Sequence, residues 1–393
     1  MTLMSTVKPR PIPEPVSLLF EEAVSLGASD IMLKNNQPPI INVSGSWERM
    51  DSYAKVTDND VHRAIQDTHP NAGRLDIKKL LLDTGELNYR TSVEENAFRI
   101  SVGLQSRNPY LVARPIPRVI PSLDELQMLP ARKVTSGAMI DPVDTLKELA
   151  LRKKGIVIVT GQTGSGKSTT LAAMINHINM TRRTHIITIE DPIEFIHRDR
   201  LSYFNQREVG SHEDVPSFEL GVEHAMRQAP GVILIGEVRN RETMQAALQA
   251  AETGHMVFCT LHTRDAPGTI QRVYSMFPGS DRDQISVQFA SAVVAVISQQ
   301  LVPRENPAPG QRGRQLIAEI MVANDPIRIA MKNDGNFETK LRDALNATSN
   351  LGSLQMDREL VRACHLGLIS EENVHLYAVQ DHDKITALLK ERA

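Results

Sequence analysis

Between residues 161 and 168 the chain reads Gly161-Gln162-Thr163-Gly164-Ser165-Gly166-Lys167-Ser168. Glycines at this spacing let successive backbone N–H groups turn inward around phosphate oxygens. The lysine that follows neutralises terminal phosphate charge, and the hydroxyl after it can sit on a divalent cation. Thr163, Ser165 and Thr169 belong to the same turn and its exit, and are assigned to the phosphate site with the glycines. A β-branched run (156–160) precedes the loop and an Ala/Leu-rich stretch follows it, so the loop joins a strand to a helix. The pattern predicts a site for ATP and Mg²⁺, with Ser168 as one metal ligand. It does not say what the energy drives.

Such a loop needs carboxylates nearby, to hold the metal and to position water. Glu190, Asp191 and Glu194 lie within five residues at the end of the apolar run 186–189. That much negative charge at the tip of a buried strand is tolerable where Mg²⁺ and Lys167 share the space. Two further apolar runs end in chemistry-bearing residues: 232–235 leads into Gly236-Glu237, and 256–261 leads into His262. Three strands of a parallel sheet would then deliver Glu194 (or Glu190 and Asp191), Glu237 and His262 to one edge. A generic acidic strand end would carry Asp where this chain has Gly236, so Glu237 is expected to serve the metal alone, with the base coming from the 190–194 cluster. For several residues other readings stay open. Asp191 before Pro192 could open a turn, Glu190 could pair with a local arginine, and His262 could be a satisfied buried histidine.

The elements that must position these groups can be read from the texture of the chain. Pro9, Pro11, Pro13 and Pro15 predict an extended, mobile lead over 1–15. Residues 16–116 open with an amphipathic helix and continue in short alternating stretches, which reads as a small α+β domain with an antiparallel sheet. Residues 117–150, punctuated by Pro117, Pro121, Pro130 and Pro142, read as a linker and a helix leading into the next domain. From 151 to 393, β-rich runs alternate with helical segments, which implies an α/β domain with a mostly parallel sheet. After about 280 the pattern reads as helical except for one strand-like stretch over 314–323. The apolar run 290–298 reads as part of a buried helix.

The chain has 393 residues, 41% of them hydrophobic and 23% charged, with a formal net charge of −3. No global basic field is present, and Trp47 is the single tryptophan, so direct nucleic-acid binding is not expected. The basic clusters 151–154 and 181–183 read as solvated helix ends. Cys259 and Cys364, the two cysteines, exclude a disulfide framework and a cysteine-rich zinc site. No apolar run has the length of a signal core or a membrane span, so any membrane role is expected to be peripheral and cytoplasmic.

Several long motifs, in order, then carry a resemblance. "GQTGSGKSTTLAAMI", "ITIEDPIEF", "NQREVG" (205–210), "GVILIGEVR", "AAETGHMVFCTLHT" and "AVISQQLVP" together resemble the secretion ATPase superfamily. "GASDIMLKNNQPPIINVSG" and "GSLQMDRELVRACHLGLIS" extend the similarity over almost all of 16–370, and it is strongest to the type IV pilus retraction ATPases. The resemblance implies a PAS-like N-terminal domain, a RecA-like P-loop ATPase domain with C-terminal helices, and a homohexameric ring with ATP bound between domains. It also implies a partner in an inner-membrane platform or secretion complex, through which the ring associates peripherally with the membrane.

The same resemblance puts the catalytic glutamate on Glu194, the atypical Walker B glutamate on Glu237, and the histidine of the His box on His262. It further implies that Arg99 and Arg114 of the first domain approach the phosphates; from the residues alone these are strand arginines. The chain departs from the retraction pattern at 325–335, at Asn240 and at 227–231. A relative that energises type IVB secretion or conjugal transfer is therefore the alternative, and a nucleotide-switched scaffold with little turnover is the reading of another class.

Overall fold

The structure is a computed structural model that describes residues 9–390 apart from 44–45, 75, 95, 118, 134–136, 138, 211–213, 308–312, 333–335, 349–351 and 381. Residues 1–8 of the proline-rich lead, residues 118, 134–136 and 138 of the expected linker, and the last three of the 325–335 segment lie outside the described residues. The described chain divides into two units, one ending at Val119 and one beginning at Ile120.

In the first unit, α1 (Ser17–Ser25) leads into β1 (Ala28–Lys34), β2 (Ile40–Val43) and β3 (Ser46–Arg49). Then come α2 (Asp58–Thr68), α3 (Ile77–Thr84), β4 (Glu86–Val93), β5 (Asn96–Gln105) and β6 (Asn108–Ile116). The strands form one antiparallel sheet in the order β3-β2-β1-β6-β5-β4. Alternation along β4 turns Leu87, Tyr89 and Val93 into a core shared with Phe98 and Ile100 of β5 and Leu19 and Phe20 of α1. Helix α2 starts where a capping box forms: Thr57 Oγ1 accepts from Asp60 N, and the Asp60 carboxylate accepts from Thr57 N.

The described part of the lead is packed, contrary to the expected mobility. Arg10 N donates to Ser52 O at 2.8 Å, Ala54 N donates to Arg10 O at 2.6 Å, and Ile12 is buried. The apolar residues spaced between the prolines give this segment a face to bury, which composition alone does not reveal.

The second unit opens with the short pair β7 (Arg132–Lys133) and β8 (Met139–Ile140), followed by α4 (Pro142–Ala150), β9 (Gly155–Thr160), α5 (Lys167–Thr181), β10 (His185–Glu190) and β11 (Tyr203–Glu208). It continues through α6 (Phe218–Met226), β12 (Val232–Ile235), α7 (Arg241–Glu252), β13 (Met256–Leu261), α8 (Ala266–Ser275), α9 (Arg282–Ala292), β14 (Val293–Pro303) and β15 (Arg314–Val322). Helices α10 (Asp325–Ala330), α11 (Phe337–Ala347), α12 (Met356–His365), α13 (Glu371–Tyr377) and α14 (His382–Lys390) close the chain.

Seven strands form a sheet in the order β11-β10-β12-β13-β9-β14-β15, parallel except for the antiparallel edge pair β14–β15. Every residue of β9, β12 and β13 is buried, as expected of parallel strands covered on both faces. Val222 of α6, Met244 and Leu248 of α7, and Ile270 of α8 cover Ile187, Ile233 and Val257 on one face. Leu146 of α4 and Met174 of α5 cover Val157, Val159 and Phe258 on the other. No helix among the described residues is long and apolar enough to cross a membrane.

Two sequence expectations change. Described residues of 120–150, read as a linker and a helix leading into the next domain, join the second unit: Leu123 and Leu126, ahead of the helix α4, are buried in the same core as Val157. The run 290–298 is not one helix. Helix α9 ends at Ala292, and β14 begins at Val293 and pairs with both β9 and β15. A short β-branched run is ambiguous in isolation, and here two neighbouring strands supply ladder partners that a helix could not use.

Candidate active site

Parallel strands put their C-terminal ends at one edge, so the segments after β9, β10, β12 and β13 gather there. The loop after β9 is built by glycine. At Gly161, φ is +143°, and a Cβ would collide with the Gln299 carbonyl oxygen of β14 and come within 2.5 Å of Ser165 Oγ. Gly166, at φ +91°, is the N-cap of α5 and offers no side-chain acceptor, so the amides of the first turn are left to an anion.

Lys167 is buried, and its Nζ donates to the carbonyls of Gly161 (2.9 Å) and Gln162 (3.1 Å). Burial lowers its pKa, while the carboxylates of Glu237 and Glu194 act in the opposite direction. Ser165 Oγ is buried without a hydrogen-bond partner. A cradle closed to any Cβ, an orphaned hydroxyl and a lysine resting on loop carbonyls together fit a phosphate chain. Ser168 and Thr169 stand in the first turn of α5, both partly exposed, while Thr163 and Gly164 are exposed in the loop itself. Thr170 Oγ1 accepts from Gln299 Nε2 at 2.8 Å, which ties this helix to β14.

After β10 the chain carries Glu194 outward between two buried neighbours, Ile193 and Phe195, so its carboxylate is exposed while its backbone is anchored. Among the described residues, Glu190 has no arginine partner. Thr188 Oγ1 donates to its Oε1 at 2.6 Å and Gln206 Nε2 does so at 3.4 Å, while burial pushes the carboxyl pKa up. Asp191 is exposed and forms a cis peptide bond with Pro192.

Gly236 N donates to Ile189 O at 2.7 Å, and a Cβ at Gly236 would lie 3.2 Å from Glu190 Cα and 3.3 Å from Ile189 O. A side chain at this position would therefore press on the backbone of β10. Glu237 then pairs with Arg239 Nη2 at 2.8 Å and with His262 Nε2 at 3.2 Å. Burial by itself would raise the Glu237 pKa. The Arg239 guanidinium foremost, then His262 and Lys167, outweigh it and hold the carboxyl below its ordinary value.

His262 follows β13, where threonines fix the strand end. Thr160 Oγ1 donates to Leu261 O at 3.0 Å, Thr263 N donates to Thr160 Oγ1 at 2.8 Å, and Thr260 Oγ1 donates to Gly236 O at 2.5 Å. The second unit thus brings Lys167, Glu194, Glu237 and His262 to one strand edge. No cluster of three or more His, Cys, Asp or Glu able to hold a metal ion occurs among the described residues. A Mg²⁺ here would take most of its ligands from phosphate and water, which is that ion's habit.

The family described as Type II/IV secretion system protein matches residues 86–358. The chain belongs to that family. It is 36% identical over 359 residues to the type IV pilus retraction ATPase PilT of Pseudomonas aeruginosa, covering 91% of this chain and 96% of that protein. It is 36% identical over 338 residues to a twitching motility protein of Neisseria gonorrhoeae, covering 85% and 82%. Among solved structures, the pilus retraction motor PilT with bound ADP superposes with a TM-score of 0.80 at 33% identity, covering 94% of this chain and 98% of that one. The ATPase DotB of Legionella pneumophila superposes at 0.72 and 27% identity, covering 96% and 98%. With an intact phosphate loop and these relatives, the chain is a secretion-family ATPase and uses nucleotide.

Arg99 and Arg114 lie in the first unit. They face each other across β5 and β6, and Arg90 of β4 is opposite Arg99. Arg114 Nε and Nη2 both reach Asp30 Oδ1 at 2.7 Å. Asn240, a departure from the family pattern, caps α7 by accepting from Thr243 N at 2.9 Å, a role asparagine fills as well as an acidic residue does. Sequence reasoning passed over Arg239 and Gln206. Arg239 stands two residues after Glu237. Gln206 belongs to a motif that marks the family without showing any chemistry.

Proposed function

We propose that this secretion-family ATPase hydrolyses ATP to do mechanical work in a type IV pilus machine, as its retraction motor. It would act as a homohexamer, peripheral to the membrane, against an inner-membrane platform protein. The observation that carries the proposal is the glycine-built cradle with Lys167 Nζ resting on its carbonyls, at the strand edge where Glu194 follows β10 and Glu237, held by Arg239 and His262, follows β12. Identity to a retraction ATPase across 91% of the chain supports the cellular role.

In this reading Lys167 leaves the Gly161 and Gln162 carbonyls to meet the β- and γ-phosphates of the substrate. Ser168 and Glu237 would hold Mg²⁺, Glu237 directly or through water. When bound, the ion neutralises charge that develops on the phosphate oxygens. Glu194, exposed after β10, orients a water and accepts its proton as the γ-phosphorus is attacked. Arg239 and His262 keep Glu237 ionised and in place.

Phosphate release by the full-length protein tests the chemistry. Glu194→Gln should slow it about a hundredfold or more while ADP affinity stays within about twofold. Equal rates in variant and wild type would leave a nucleotide-switched scaffold instead. For the cellular role, a deletion strain should lose pilus-dependent motility; loss of secretion with motility retained would refute retraction.

A further inference from the structure

Gln206 of β11 lies opposite Thr188 of β10, beside the segment that carries Glu194. Its amide is used from both ends. Oε1 accepts from His197 N at 2.8 Å, while Nε2 donates to Phe195 O at 2.8 Å and to Glu190 Oε1 at 3.4 Å. The Glu190 carboxylate in turn takes the Thr188 hydroxyl at 2.6 Å. The His197 ring stacks on Phe204 of β11 with centroids 4.7 Å apart and planes 5° from parallel. The chain is therefore gripped at the two backbone groups that follow Glu194, the Phe195 carbonyl and the His197 amide, while Ile193 before it is buried. Only a carboxamide has both the acceptor and the donors this grip requires.

We propose that Gln206, acting with Glu190, is a positioning residue that aims Glu194 at the reacting water. This rests on the assignment of Glu194 made above. A shift of about 1 Å in a catalytic group costs on the order of a hundredfold in rate, and binding through the phosphate loop does not pass through Gln206. Gln206→Ala should therefore lower kcat at least about tenfold, with KM for ATP and affinity for ADP within about twofold of wild type.

Gln206→Glu keeps the shape and the acceptor. When ionised it has no donor for Phe195 O and it repels Glu190; when protonated it regains one donor. The titratable groups around this position are Glu190 of β10, which accepts from Gln206 Nε2; His197, whose amide donates to Gln206 Oε1; Glu194, whose charge acts on Glu190; and Glu208, two residues along the same strand. The ring of His197 is held neutral by burial, which pushes its pKa down to about 4. The ratio of Gln206→Glu to wild-type kcat should thus rise at least about fivefold between about pH 8.5 and pH 6, across the range where a crowded carboxyl takes up its proton. A merely structural defect would change the rate without that pH signature.

A folded Gln206→Ala protein with kcat within about twofold of wild type would overturn the proposal. Should that variant fail to fold, a pH-independent ratio for Gln206→Glu would overturn it. Should Glu194→Gln turn over like wild type, the underlying assignment falls. If Glu194→Gln is inactive and the Gln206 variants are normal, only the positioning role falls.

Discussion

Glu319 of β15 is 2% exposed, in a chain where most carboxylates reach water. Its Oε1 accepts from Ala266 N at 2.6 Å and its Oε2 from Met356 N at 3.2 Å, joining the start of α8, just after the His262 segment, to the start of α12. Burial foremost, and then the neighbouring Asp265, push its pKa up to about 7, although the two amides and Arg342 work against the shift. Asp265 itself is paired with Arg342 at 2.5 Å.

In the unfolded chain this group loses its proton near pH ~4.3. Below that point both states are protonated and Glu319 contributes no slope. Between there and about pH 7 the folded state holds a proton that the unfolded state has lost, so stability falls as pH rises; above 7 the loss is complete. From pH 5 to pH 8 that amounts to about two pH units of differential protonation, or ~3 kcal/mol.

Glu319→Gln cannot titrate. Its amide nitrogen faces a backbone donor, which imposes an offset of about 1–2 kcal/mol, but that offset does not depend on pH. The assay is urea unfolding of both proteins at several pH values. Trp47, on β3, reports the first unit by fluorescence, and far-UV circular dichroism reports the second-unit transition, since a chain of two units need not unfold in one step. The stability difference between wild type and Glu319→Gln should move by ~3 kcal/mol in favour of the variant from pH 5 to pH 8. A difference constant to within about 0.5 kcal/mol would show that Glu319 is not protonated in the folded state near neutrality, and the burial reasoning would fail.

Three other perturbations follow from close contacts. Gly161→Ala places a methyl group against the Gln299 carbonyl and Ser165 Oγ at a φ of +143°; affinity for a fluorescent ADP analogue should fall at least about tenfold, and an unchanged Kd would refute the cradle. Gly236→Asp, which restores a generic acidic strand end, presses on Glu190 Cα and Ile189 O; it should cost ~1–3 kcal/mol and reduce hydrolysis, and a wild-type Tm would show that β10 yields there. Arg328 of α10 donates to the carbonyls of Ala290, Ser291 and Val293 at the end of α9; Arg328→Ala should lower stability by ~1–3 kcal/mol, measured by calorimetry, and no change would mean that water replaces those contacts.

The phosphate loop was legible because its requirement is local. Backbone amides can face a phosphate only if particular residues lack a Cβ, and that requirement is written into eight consecutive positions. The acidic strand end was nearly as legible, since Glu190, Asp191 and Glu194 follow directly on an apolar run. The parallel sheet followed from alternating texture. The run 290–298 misled because β-branched residues in a short apolar stretch suit a buried strand or a buried helix, and the choice belonged to β9 and β15. The proline-rich lead misled because composition predicts stiffness and exposure, whereas Ile12 had a core to enter.

By itself, then, the sequence determined the chemistry on offer: a phosphate cradle, acidic strand ends and a histidine, each specified by residues adjacent in the chain. Tertiary structure decided which of them meet. It set Glu237 between Arg239 and His262, gave Glu190 a hydroxyl and an amide instead of an arginine, and made Gly236 a matter of how closely β10 passes. The physical reason is range. Backbone conformation is governed over a few residues, while charge, burial and steric exclusion act through space between segments far apart in sequence.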